Sequence, residues 1–189
     1  MNILFVNACV RAESRTRRLA EQVISKIKTE ADVVTEIKVA DEIYPIKNEK
    51  FIGYRNKASE THDFSDPVFA PAIQFSKADV IVVAAPYWDL SFPAILKAYF
   101  EQINVLGLTF EYTEDGMPRG LCKAHRLIYV TTAGGPIISD EYGFGYVKTL
   151  AQAFYGITDV SQVKAEGLDI IGADVEGILK EALEWLKPI

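Results

Sequence analysis

Two cysteines in 189 residues leave this chain without a disulfide framework. Cys9 and Cys122 form no CxxC pair and hold no metal-ligand spacing with His62 or His125, so no metal site is expected. Cysteine so sparse fits a reducing compartment, and a cytoplasmic protein is expected. Long apolar runs are missing too. No stretch reaches the ~18 consecutive apolar residues a membrane span needs, and Ile3-Leu4-Phe5-Val6 is too short for a signal-peptide core and has no basic region before it. Excess positive charge is also absent: the net charge of −6 serves solubility and argues against general nucleic-acid binding. Neither GxGxxG nor GxxxxGK[ST] occurs, which disfavours a dinucleotide fold or a nucleotide triphosphatase, and Gly143-Phe144-Gly145 lacks the third glycine at the required spacing.

What is present is the ordinary balance of a globular protein, 49% hydrophobic and 24% charged. At about 150 residues per domain the length predicts a single domain over residues 1–189, large enough to bury a core unaided. Short apolar runs alternate with helical patterns. Strands are expected at 2–7, 33–39, 79–85, 126–132 and 160–165, the second as a weakly alternating edge strand. Helices are expected at 14–28, 67–77 (capped by Ser65 or Asp66), 93–104, 145–155 and 174–187. Residues 40–66 read as an irregular polar excursion near the active site, with room for short helical turns. Strands separated by helices imply a parallel sheet covered on both faces. The fold class is α/β, a doubly wound three-layer sandwich with strand order 2-1-3-4-5.

In such sheets ligands sit beyond the carboxyl ends of the strands, at the point where the winding reverses. Three loops there carry chemistry. The loop after the first strand contains Cys9, Arg11, Ser14, Arg15 and Thr16 and ends where a helix begins. Free N–H groups at a helix N-terminus, with four arginines at positions 11, 15, 17 and 18, suit a phosphate monoester. After the third strand, Pro86, Tyr87, Trp88, Asp89 and Leu90 provide an aromatic wall and backbone amides for a flat heteroaromatic ligand. After the fourth, Thr131, Thr132, Ala133, Gly134 and Gly135 let the backbone approach a ligand without Cβ atoms between. Each loop has a plainer reading: an N-cap with solvated arginines, aromatics covering a sheet end, an ordinary turn. Their coincidence at one sheet edge favours a site.

At these positions the chain resembles the flavodoxin-like NAD(P)H:quinone oxidoreductases and FMN-dependent azoreductases, over nearly its whole length. Ser14-Arg15-Thr16 is similar to the family's FMN-phosphate turn. Pro86 to Leu90, followed by Leu96-Lys97-x-Tyr99-Phe100, resembles its second flavin loop and helix. Leu108 to Thr113, and Gly156 to Val160 with Ala165-Glu166-Gly167, resemble its bacterial azoreductase branch. The resemblance implies bound FMN, its phosphate at Ser14 to Thr16 and its ring against Tyr87 to Leu90 and Thr132 to Gly135. It implies NADH or NADPH as co-substrate, a quinone or azo acceptor reduced by two-electron ping-pong hydride transfer, and a homodimer whose partner helps complete each site. Phe110, Tyr112, Tyr142 and Phe144 are candidate walls of the acceptor pocket. The flavin carries the chemistry, so no side chain is singled out as a strong acid or base. Three departures bear on the acceptor: Asp89 in place of Asn, Ala133 in place of a more polar residue, and Ile137 where His is common. Arg55 and Lys57 are candidates to meet a 2′-phosphate, against an ordinary solvated loop.

Two alternatives stand beside this reading. Cys9, five residues, then Arg15-Thr16 resembles the phosphate loop of the low-molecular-weight tyrosine phosphatases, with Cys9 as nucleophile. Residues 10–14 offer no Gly or Asn to ease that loop, and the only Asp-Pro, Asp66-Pro67, is far from the C-terminal place of that family's general acid. The other is a flavodoxin-type electron carrier, for which the chain is long.

Overall fold

A computed structural model of the chain describes residues 1–42, 44 and 47–186. Its elements are β1 (Asn2–Asn7), α1 (Arg15–Ile27), β2 (Val33–Lys38), α2 (Glu49–Thr61), α3 (Ala70–Lys77), β3 (Val80–Ala84), α4 (Ala94–Ile103), β4 (Phe110–Tyr112), β5 (Pro118–Gly120), β6 (Arg126–Thr132), α5 (Tyr146–Phe154), β7 (Asp159–Ala165) and α6 (Val175–Ala182). Five strands form a parallel sheet in the order β2-β1-β3-β6-β7. With the β4–β5 hairpin set aside, this is the expected 2-1-3-4-5.

Strand periodicity divides the core into two layers. Leu4, Val6, Ile81, Val83, Leu127 and Tyr129 point to one face, where Phe75, Leu96, Tyr99, Phe100 and Tyr155 of the α3–α5 side cover them. Ile3, Phe5, Val80, Val82, Ile128 and Val130 point to the other, beneath Leu19 and Val23 of α1 and Leu179 of α6. Every residue of β3 and β6 is buried, because parallel strands wound on both sides have no wet face. At the edge, β2 buries only Ile37 among its six residues, so both Val33 and Val34 face solvent.

The structure corrects two expectations, at residues 40–66 and at the end of α6, and adds two elements that were not expected. Residues 40–66 are not irregular throughout: Asn48 caps α2 through its side chain, which accepts from the Phe51 N–H, and His62 closes it at φ 51°. The helix buries only Ala58, so it lacks the apolar stripe that would betray it. Instead its aromatic side chains lie flat, Tyr54 stacked on Phe69 and Phe51 under the ammonium of Lys47. The antiparallel β4–β5 hairpin was not foreseen, since three-residue strands carry too little period to read. A π-helical turn, Glu141–Gly145, precedes α5 where a helix start was expected. Finally, α6 ends at Ala182, short of the expected 187, which lies outside the described residues. The expected cap at Asp66 is present, its carboxylate accepting from the Val68 N–H ahead of α3.

Candidate active site

The carboxyl ends of β1, β3, β6 and β7 deliver four loops to one rim. They enclose a cleft of about 350 Å³ lined by Cys9, Val10, Arg11, Glu13, Ser14, Arg15, Thr16, Pro86, Tyr87, Trp88, Thr132, Ala133, Gly134, Leu168 and Asp169. Eleven of the fifteen cofactor-site candidates read from the sequence line it. Asp89, Leu90, Thr131 and Gly135 flank it, Thr131 fully buried in β6.

The first loop is anchored before it opens. Ala8 donates to the Ala84 carbonyl at 2.8 Å, and the Asn7 side chain accepts from the Cys9 N–H at 2.9 Å while donating to Glu36. The chain then turns into α1, where the Ser14 hydroxyl accepts from the Arg17 N–H at 3.2 Å. Arg15 and Thr16, the first two helical residues, keep N–H groups with no acceptor among the described residues, as a helix start requires. The Thr16 hydroxyl pairs with that of Thr132 at 2.6 Å, both side chains buried, tying helix α1 to the end of β6.

Three of the four arginines are not free cations. Arg15 pairs with Asp169 at 2.6 Å, Arg17 with Glu21 at 2.9 Å and Glu36 at 3.6 Å, and Arg18 with Glu176 at 2.7 Å. Arg11 has no carboxylate partner among the described residues. The positive potential read from the sequence is therefore largely compensated within the fold. Burial pushes the Cys9 thiol up, an effect that outweighs the Ser14 hydrogen bond and the nearby Arg17. Arg15 is turned toward Asp169 and burial disfavours the thiolate, so neither group supports the phosphatase reading.

After β3, Tyr87 donates to the Thr132 carbonyl at 3.0 Å, which draws the second loop against the third. Trp88 and Ser91 exchange both backbone hydrogen bonds, at 3.1 and 2.8 Å, around a two-residue turn. Both central residues are left-handed, Asp89 at φ 50° and Leu90 at φ 67°. For leucine that conformation costs about 1–2 kcal/mol. The turn leaves the N–H groups of Asp89 and Leu90 without acceptors among the described residues but consumes that of Trp88.

The third and fourth loops are zipped together. Leu168, Asp169 and Gly167 donate to the carbonyls of Ala133, Gly134 and Gly135 at 3.2, 2.9 and 3.1 Å. A Cβ on Gly134 would lie 2.1 Å from Asp169 Oδ2, so that glycine makes room for a carboxylate of the chain itself, whereas a Cβ on Gly135 would meet open space. Leu168 and Asp169 escaped the sequence reading, which stopped at Gly167. Nothing local marks them, because their place depends on β7 lying beside β6.

The four acceptor-wall candidates are dispersed. Phe110 is buried, edge-to-face against Tyr112 and Phe154 on the hairpin side. Tyr112 and Tyr142 are exposed, the latter accepting the Ser91 hydroxyl on its carbonyl at 2.6 Å. Phe144 stacks over Tyr129. None of the four lines the cleft of this chain. Ile137 is held by its N–H, which donates to Glu166 at 2.8 Å. Arg55 reaches not outward to a ligand but to the carbonyls of Glu101 and Asn104, tethering α2 to α4.

Comparison with known proteins agrees with this architecture. A sequence profile described as flavodoxin-like fold matches residues 1–188. The chain is 36% identical to FMN-dependent NADH:quinone oxidoreductase 2 of Clostridium acetobutylicum, covering 98% of this chain and 96% of that protein. It is 37% identical to FMN-dependent NADH:quinone oxidoreductase of Coprothermobacter proteolyticus, over 91% and 88%. The crystal structure of an azoreductase from Bacillus anthracis strain Sterne superposes with a TM-score of 0.83 at 28% identity, covering 97% of this chain and 95% of that one. The chain thus belongs to the flavodoxin-like family of NAD(P)H:quinone oxidoreductases and FMN-dependent azoreductases.

Proposed function

We propose that this chain is an FMN-dependent NAD(P)H oxidoreductase, with NADH as the expected donor, that reduces quinones or azo aromatics. One observation carries the reading: around a single cleft, a helix start and two loops each leave a pair of backbone N–H groups without an acceptor among the described residues, at Arg15 and Thr16, at Asp89 and Leu90, and at Gly134 and Gly135. Uncommitted amides on rigid loops are costly unless water or a ligand takes them. Their placement suits a phosphate at α1 and the polar edge of a flat ring between the other two loops. Tyr87 and Trp88 supply the wall against which a ring packs. Bound FMN supplies hydride and electron chemistry that no side chain here offers.

The chain's own contribution is orientation and electrostatics. The amides of residues 89, 90, 134 and 135 would favour negative charge on a ring bound between their loops, with little reorganisation of the chain. In this reading donor and acceptor take the same place in the cleft in turn, which is ping-pong kinetics. We further assign the enzyme to the cytoplasm as a homodimer; exposed Val10, Leu90, Ile138 and Ile171 around the rim support a partner there. Among the described residues no helix is long and apolar enough to cross a membrane.

The test is direct. Protein purified with added FMN and desalted should absorb near roughly 370 and 450 nm, oxidise NADH with a quinone, and give parallel double-reciprocal lines. A colourless protein, or no oxidation with any quinone or azo dye, overturns the proposal.

A further inference from the structure

We propose that Asp169 is an internal competitor for the flavin's phosphate, so that this enzyme gains less from that phosphate than its arginine-rich loop suggests. The inference rests on the flavin reading above and concerns the anionic end of the same cleft. Asp169 Oδ1 lies 2.6 Å from Arg15 Nη1, and the same nitrogen donates to the Leu168 carbonyl at 3.1 Å. The backbone that carries the carboxylate is fastened, by Asp169 N–H to the Gly134 carbonyl and at its neighbours by two similar bonds, while the side chain itself is largely exposed. Its second oxygen fills the space above Gly134 where any other residue would place a Cβ. Arg17 and Arg18 are committed to Glu21, Glu36 and Glu176 and stand in reserve for neither anion. Of the two arginines left in the cleft, Arg11 has no carboxylate partner among the described residues, so Arg15 is the one on which two acids converge.

A phosphate held at the N–H groups of Arg15 and Thr16 would share Arg15 with the negative charge of Asp169, so that either Arg15 leaves Asp169 or the two anions repel. A ligand with the same ring and no phosphate meets neither cost. Asp169 is thus a specificity-determining residue: it narrows the preference for phosphorylated over unphosphorylated flavin and eases release of the former.

The probes are FMN and riboflavin, titrated into wild type, Asp169→Asn and Asp169→Glu, with binding followed by quenching of flavin fluorescence. Asp169→Asn should bind FMN about tenfold more tightly, or about 1.4 kcal/mol, with riboflavin unchanged within about twofold. Asp169→Glu keeps the charge and should stay near wild type for both. An FMN affinity that is unchanged or lower in Asp169→Asn overturns the proposal; a fall would mean that Asp169 orients Arg15 for the phosphate. Equal shifts for FMN and riboflavin overturn it as well, marking a loop-packing effect. In each of these cases the flavin reading stands, whereas no FMN uptake by any of the three proteins overturns both.

Discussion

The buried hydroxyl pair beneath the cleft makes a sharp test of how the site is held together. Thr16 is 1% exposed and Thr132 8%, and their oxygens are 2.6 Å apart. Replacing either with valine keeps the shape and strands the other hydroxyl. A stranded buried hydroxyl costs about 1–3 kcal/mol. The two replacements are not equivalent. Thr16 is the second residue of α1, so it has no helical carbonyl four residues back to accept its proton. Both line the cleft, but Thr132 is the more exposed of the two, so water reaches its hydroxyl more easily. Thr132→Val should therefore be the costlier change, about 2–3 kcal/mol, and Thr16→Val about 1 kcal/mol. The double variant removes both polar groups and should lie within about 1 kcal/mol of wild type. Urea unfolding followed by circular dichroism resolves this, since 2 kcal/mol moves the midpoint by about 1 M at the slopes expected for such a chain. Additive losses in the double variant, or Thr16→Val costing more than Thr132→Val, would refute the reasoning.

Three further outcomes are expected. Leu90→Gly relieves the left-handed turn at little loss of packing, since Leu90 is half exposed; it should raise stability by about 1 kcal/mol while weakening FMN binding, read from thermal melts and titration on one preparation. Gly120→Ala should destabilise by about 2–3 kcal/mol or more, because its Cβ would lie 2.1 Å from the backbone of Tyr155 and Gly156, which no rotamer change relieves; an unfolding midpoint like wild type's would show that the hairpin yields freely. The Lys123 ammonium, at 2.7 Å, and the Asn2 N–H hold the Asp79 carboxyl below its ordinary value. A carboxyl with a lowered native pKa stabilises the fold above the unfolded pKa of about 4 and loses that contribution as pH falls through the native value. Asp79→Asn should therefore flatten the acid limb of a stability-versus-pH curve, and an unchanged limb would assign acid lability to other groups.

Much of the framework was legible because it depends on local chemistry. Ile3 to Val6, Val80 to Val83 and Leu127 to Val130 are apolar on both faces, which only a strand covered from two sides tolerates. Ser14 declared the start of α1, and the loops at strand ends placed the rim. Helix α2 was not legible, since its stability rests on Asn48, flat aromatics and tethers from Arg55 to α4 rather than on an apolar stripe.

The electrostatics of the site stayed hidden for a deeper reason. The sequence by itself determined that arginines crowd the first loop and that glycines follow the fourth core strand. The tertiary structure alone decided that Arg15 faces Asp169, 154 positions away, and that Thr16 meets Thr132, 116 positions away. Charge and hydrogen bonding act through space over a few ångströms, so their partners are assigned only when β1, β6 and β7 are brought side by side.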